Sequence, residues 1–279
     1  MRKLIINADD LGYSSDVNLQ IENAIEKGVV TSSTLMANAP GFLDGVRIAK
    51  QNSNVSIGVH LNLVEFSPLT NEEVFKKHNI VGDDGNFVDG AIFVRTIDEE
   101  LKKAVYEEWD AQITKIKEAG IIPSHLDSHQ HTHTIQELQN VLIDIMQKHN
   151  IRKVRRKAIP SVRLMVFGEK TINVVLDKSH AVQVPKRNLL YRRFHLFVVK
   201  YRNYKWNFLM SKHYSMTNSF YSFRDFYMNN NLLNLGHNGS IIELMCHPGQ
   251  KAFDQETEVL MKENNWLKNE YKLTNYTEL

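Results

Sequence analysis

Between Ser124 and His133 the chain reads S-H-L-D-S-H-Q-H-T-H, which gathers four of its twelve histidines and an aspartate into ten residues. Histidine is the side chain that metal binding and proton transfer use most. His125, Asp127, His129, His131 and His133 occupy every second position, so an extended backbone would present them all on one side. They cannot share one ion. At ~3.3 Å per residue His125 and His133 would stand roughly 26 Å apart, while a metal reaches only ~2.0–2.2 Å to its ligands. One or two members therefore bind a cation, and the remaining ligands come from elsewhere. The spacing does not choose between His129 and His131.

Partners are available at other strand ends. Lys3–Asn7 is a short apolar run that ends in Asp9 and Asp10. Neighbouring carboxylates on a strand point in different directions, so one can ligate a metal while the other acts as a general base. Val55–Leu63 alternates cleanly and leaves His60 on its polar face. His247 precedes Pro248-Gly249, where a strand breaks into a loop, and is placed for proton transfer. A Cys246–His247 nucleophile pair is rejected, because adjacent strand residues face opposite ways. Cys246 reads as core.

The elements that must position these groups alternate strand with helix. Further strands are expected at Thr31–Ala37, Lys153–Lys157 and Ser240–Cys246. Helices are expected after a cap at Ser14, Ser15 or Asp16, over Phe42–Asn52, from the Asp98 cap to Ala119, and over Ile135–His149, Asp225–Leu235 and Asp254–Asn269. Alternation of this kind predicts a mainly parallel sheet. Asp9, Asp10, His60, the histidine cluster and His247 all fall near strand C-terminal ends, which converge on one mouth in a parallel barrel. The expected fold is α/β: a single (β/α) barrel-like domain over 1–279, distorted or incomplete, with a basic, aromatic helical insertion at about 161–228.

With 279 residues and 42% apolar content the chain can bury a full core. Its start is too short in apolar residues for a signal peptide, no run reaches the ~20 residues of a membrane span, and one cysteine excludes an internal disulfide. A cytoplasmic protein is expected. Net charge is +2, but Arg152–Lys212 holds 16 Lys/Arg against Glu169 and Asp177, leaving 18 basic and 30 acidic residues elsewhere. Lys186–Met228 holds 13 of the 26 aromatic residues. Leu189, Leu190, Phe194, Phe197, Val198 and Tyr201 lie at roughly helical spacing, with Arg192, Arg193, Lys200 and Arg202 around them. That pattern suits either a packed helix, or a lid or face that meets an anionic membrane surface.

Five blocks resemble the YdjC-like carbohydrate deacetylases, which include the chitooligosaccharide deacetylases: Ile6–Gly12, Val30–Pro40, Ile57–Leu61, His125–His133 and Glu243–Gly249. The resemblance implies a (β/α) barrel-like fold and hydrolysis of an acetamide on an N-acetylated saccharide. It implies one divalent cation (Mg or Zn, with Mn, Co or Ni also suited) on Asp10, His60 and His129. It implies Asp9 as general base, His247 as general acid and Arg155 as the arginine that orients the base. No nucleic-acid partner is expected, and the sequence leaves a homodimer open. The competing readings are a metal-dependent hydrolase of other esters or amides, such as phosphoesters or lactams, suggested by His129-x-His131, and a non-catalytic glycan or polyanion binder.

Overall fold

The apolar run after Arg2 becomes β1 (Arg2–Leu11), buried from Leu4 onward. A computed structural model describes residues 1–159, 189–229, 235–262 and 265–279. The remaining strands are β2 (Ser32–Leu35), β3 (Ser56–Leu61), β4 (Leu126–Ser128), β5 (Ser219–Ser222), β6 (Ile241–Cys246) and β7 (Tyr271–Leu273). The sheet runs β4-β3-β2-β1-β6-β5, and every pairing is parallel. One edge of β1 is shared: Arg2–Leu4 pairs with β7, and the stretch from Asn7 onward pairs with β2. Strands β2 and β3 are buried at every residue, as expected of a parallel sheet covered on both faces.

The helices are α1 (Ser15–Glu26), α2 (Phe42–Gln51), α3 (Glu72–Lys77), α4 (Ala91–Val94), α5 (Glu99–Glu118), α6 (Gln139–His149), α7 (Leu189–Ser211), α8 (Phe223–Asn229), α9 (Asp254–Met261) and α10 (Asn265–Glu270). Ser14 and Asp98 cap α1 and α5, accepting hydrogen bonds from Val17 N and Leu101 N. Leu101, Val105, Trp109, Ile113 and Ile116 form the buried stripe by which α5 packs on β3 and α6.

The seam between β4 and β5 is spanned by a bridging segment. Leu126 N donates to Lys153 O (3.0 Å), Arg155 N to Leu126 O (2.9 Å), Val154 N to Ser215 O (3.1 Å) and Ser215 N to Arg152 O (2.9 Å). The expected strand Lys153–Lys157 is thus reduced to isolated bridges. Two side-chain contacts cut it short. Arg156 Nη1 donates to the carbonyls of Thr217 and Asn218, which a ladder would need, and Asn207 of α7 takes both the N–H and the C=O of Lys157. The barrel-like expectation is borne out, in distorted form.

Several boundaries differ from expectation. The helix expected at Asp225 starts at Phe223, and 230–234 of its span lie outside the described residues. The stretch Asp254–Asn269 holds two helices, α9 and α10, flanking 263–264, which also lie outside. Of the stretch at 161–228, residues 161–188 lie outside the described residues. The described remainder includes β5, a strand of the sheet itself that short mixed-polarity sequence did not reveal.

Candidate functional site

The end of β1 is irregular, and that irregularity builds the site. Pairing with β2 shifts register between Ala8 and Leu11, and Asp10 adopts φ 69°. Left-handed backbone at a non-glycine residue costs ~1–2 kcal/mol, and a bulge re-aims side chains. Asp9 and Asp10, which a regular strand would turn to opposite faces, consequently line one cavity of about 360 Å³. Gly12 (φ 91°) completes the turn, with its N–H donating to Asn18 Oδ1 of α1 at 2.6 Å.

Asp10 meets two imidazoles. Its Oδ1 lies 2.9 Å from His129 Nδ1 and 3.2 Å from His60 Nε2, and its Oδ2 accepts from Gln250 Nε2 at 2.9 Å. The three potential ligand atoms of Asp10, His60 and His129 lie within 4.8 Å of one another. The other nitrogen of His60 is fixed by Asp127 Oδ1 (2.7 Å) and Thr34 Oγ1 (3.1 Å), an outer partnership of the kind that orients metal-ligating histidines. Burial would lower the His60 pKa, but Asp127 and Asp10 outweigh it and push it up to about 10. Burial would raise Asp10, yet His129 and His60 hold it well below the usual carboxylate range. An imidazolium wedged between carboxylates marks a place that demands positive charge. One carboxylate oxygen and two imidazole nitrogens are a donor set that a divalent cation fits.

Arg155 is the second centre, fully buried. Its Nη1 and Nη2 clamp both oxygens of Asp9 at 2.6 Å each, Nη1 lies 2.8 Å from Asp127 Oδ2, and Nε donates to Glu243 Oε1 at 2.7 Å. Burial works against ionisation of Asp9, but the guanidinium holds its carboxyl well below the usual range. Asp9, His60 and Asp127 also group closely enough to suggest an ion, but Arg155 already neutralises those two carboxylates.

His247 lines the same cavity. Its backbone N–H donates to Glu256 Oε1 at 2.8 Å, its Nδ1 stands 3.6 Å from the same oxygen, and its ring stacks on Phe253 at 4.2 Å. The Nδ1 separation exceeds a hydrogen bond, so the attraction is electrostatic. Burial would lower the His247 pKa, but Glu256, Asp9 and Asp10 raise it to about 8, which leaves the ring largely protonated at neutral pH. Tyr13, Glu65, Asp89, Gln130, His131 and Met245 also line the cavity.

A family model for YdjC-like protein matches residues 3–278. The chain belongs to the YdjC-like family. A carbohydrate deacetylase of Clostridium beijerinckii is 34% identical over 157 residues, which is 56% of this chain and 61% of that protein. A carbohydrate deacetylase of Vibrio cholerae serotype O1 is 36% identical over 149 residues, 53% of this chain and 57% of that protein. The chain therefore aligns with about three-fifths of the length of these curated relatives. A solved structure from Enterococcus faecalis V583, whose suggested role is cellobiose-phosphate cleavage, superposes with a TM-score of 0.68 at 24% identity, covering 99% of this chain and 98% of that one. That likeness speaks to the fold.

In this YdjC-like chain the histidine run does not continue as a strand. β4 ends at Ser128, and Gln130 and His131 both adopt left-handed backbone (φ 49° and 59°), so the five alternating side chains fan out. Asp127 and His129 join the charged network. His125 is stacked on Tyr276 (3.5 Å between centroids, 7°) and kept neutral by burial and by Arg155. His133 bonds Ser128 Oγ through Nδ1, and His131 meets the edge of Phe220. Cys246 is core, its thiol raised by burial.

Sequence reasoning placed Asp127 in the cluster but missed its bond to His60, and it missed Thr34, Glu243, Tyr276 and Glu256. A signal existed for the first two, since strand register sets His60 opposite Asp127 and Thr34 opposite Gly58. Glu256 sits on a helix nine residues after His247, and no spacing rule links them.

Proposed function

We propose that this protein is a divalent-metal-dependent carbohydrate deacetylase that releases acetate from an N-acetylated saccharide. The observation that carries the reading is the convergence of three groups on one cavity: the Asp10–His60–His129 donor set, the Arg155-clamped Asp9 and the His247 imidazolium. The kinship with proteins named carbohydrate deacetylases supports it.

In this reading Asp10, His60 and His129 hold the cation, and Asp127 and Thr34 keep the His60 ring turned toward it. When bound, a divalent ion supplies Lewis acidity, lowering the pKa of a water as far as ~7 in the zinc case and offsetting charge on the acetyl oxygen. Asp9 takes the proton of the attacking water. Among the described residues its Oδ1 accepts from Arg155 and Asn7 while Oδ2 accepts from Arg155 alone, so Oδ2 keeps a lone pair for that proton. The clamp makes Asp9 a weak base but one that is always ionised and always aimed. His247 protonates the departing nitrogen, because an amide nitrogen leaves very poorly as an anion. Water and amide are thereby converted to acetate and a free amino sugar.

A two-ion phosphoesterase or lactamase is disfavoured, since the carboxylates that would hold a second ion are bound to Arg155. A pure glycan binder has no need of an imidazolium facing a buried carboxylate. The test is acetate release from a panel of N-acetylated mono- and oligosaccharides. Turnover abolished by chelation and restored by a divalent ion is expected. Acetate release that survives chelation, or none from any member after metal is restored, overturns the reading.

A further inference from the structure

Helix α7 has two apolar faces. One docks on the body of the protein: Trp206, Asn207 and Met210 are buried, the Trp206 ring meets His133 at 6.1 Å, and Asn203 Nδ2 donates to Ala158 O at 2.7 Å. On the other side Phe197, Tyr201, Tyr204 and Phe208 stand at i, i+4, i+7 and i+11, exposed by 67%, 63%, 50% and 62%. Five aromatic side chains are strongly exposed among the described residues, and four of them form this stripe. It spans about 16 Å of helix. A helix on a protein surface ordinarily turns polar residues outward, and a contiguous exposed aromatic row marks a contact surface.

Charge identifies the contact. The 23 residues of α7 include Arg192, Arg193, Lys200, Arg202 and Lys205 and no Asp or Glu, and Lys212 follows one residue after the helix. Arg202 and Lys205 are exposed, Lys200 Nζ lies 5.9 Å from the Tyr204 ring, and Lys212 Nζ lies 4.6 Å from the Phe208 ring. Aromatic rings with cations interleaved and no acid on the same helix are the pattern of a helix lying in the headgroup layer of an anionic bilayer. A neutral partner would leave the cations unused, and a second copy of the same face would set like charges together. No helix among the described residues is long and apolar enough to cross a membrane, so the contact is a lateral one.

We infer that the Phe197–Tyr201–Tyr204–Phe208 face of α7 is a peripheral docking surface for anionic lipid. This rests on α7 alone and stands whether or not the chain is a deacetylase. The test is co-sedimentation of the full chain with phosphatidylcholine vesicles, with and without phosphatidylserine. Binding is expected only to the phosphatidylserine vesicles and is released by ~0.5 M salt. Two variants follow: Lys200→Gln/Lys205→Gln/Lys212→Gln, and Phe197→Gln/Tyr201→Gln/Tyr204→Gln/Phe208→Gln. The first should lower partitioning about a hundredfold, since each of its three basic groups near the leaflet contributes about fivefold, and the second about tenfold or more through lost apolar burial. The variant that keeps the parent's unfolding midpoint is the one that counts. Equal binding to neutral vesicles, no binding to either kind, or unchanged binding in the folded variant overturns the inference. So does concentration-dependent self-association that the variants abolish without any vesicle binding, which would make the face a contact between copies.

Discussion

Replacing Arg155 by Met should expose how much of the molecule hangs on one guanidinium. Arg155 is fully buried and touches Asp9, Asp127 and Glu243. Methionine fills most of the volume but leaves three buried carboxylates without their cation. Removing one partner of a buried ion pair costs ~3–5 kcal/mol, and at ~2–4 °C per kcal/mol for a chain of this size the unfolding midpoint should fall by about 6–20 °C. The deficit should also depend on pH. In the parent, Asp9 sits well below its usual value, so its stabilising contribution is present above ~3.9 and is lost only as pH falls through the folded value. Without Arg155 the strongest opposition to burial is gone, and the Asp9 and Glu243 carboxyls move up against only His60 and His247 at the one and Tyr276 at the other. Their contribution is then present at low pH and lost as pH rises, so the variant's deficit should widen from pH 5 to pH 8. Urea titrations of both proteins with chelator present, at those two pH values, measure it. A deficit below ~1 kcal/mol, or one equal at both pH values, would refute the reasoning.

Gly58→Ala should destabilise by ~1–3 kcal/mol in urea, because a Cβ there would sit 2.5 Å from the His125 ring and 2.8 Å from its carbonyl oxygen. Asp9→Asn and His247→Ala should each cost ~10²–10⁴-fold in turnover. In the chelated protein the His247 ring should titrate near 8 by NMR and drop in Glu256→Gln, and turnover should fall as pH rises past its value. Asp225 is buried, neither carboxylate oxygen meets a hydrogen-bond partner among the described residues, and its pKa is raised by burial to about 6. A raised carboxyl favours folding at low pH and loses that contribution as pH climbs through about 6, so Asp225→Asn should stabilise at pH 8 by up to ~3 kcal/mol and do nothing at pH 4.

The fold was legible where periodicity was strong. Alternation in Val55–Leu63, the Asp98 cap and the Val17–Ile25 stripe gave strands and helices within a residue or two. What escaped was set by tertiary contacts. β5 is four residues whose strand character comes from pairing with β6, and Lys153–Lys157 lost its ladder to Arg156 and Asn207. In the site, residue types pointed to Asp9, Asp10, His60 and His247, and the family resemblance supplied His129 and Arg155. The bulge at Asp10 was invisible, since left-handed backbone at an aspartate leaves no mark in composition. So was the fan of the histidine run, which two consecutive left-handed residues create. Glu243 and Tyr276 meet 33 residues apart through a sheet register that no local window reaches.

The central claim is that one cation is held by Asp10, His60 and His129, while Asp9 and Arg155 beside it hold none. Elemental analysis of the purified parent and of Asp10→Ala, His60→Ala, His129→Ala and Asp9→Asn, each loaded with the same divalent ion and then desalted, tests it directly. One ion per chain is predicted in the parent and in Asp9→Asn, with little or none in the other three. Full occupancy in all three, or loss in Asp9→Asn alone, would contradict it.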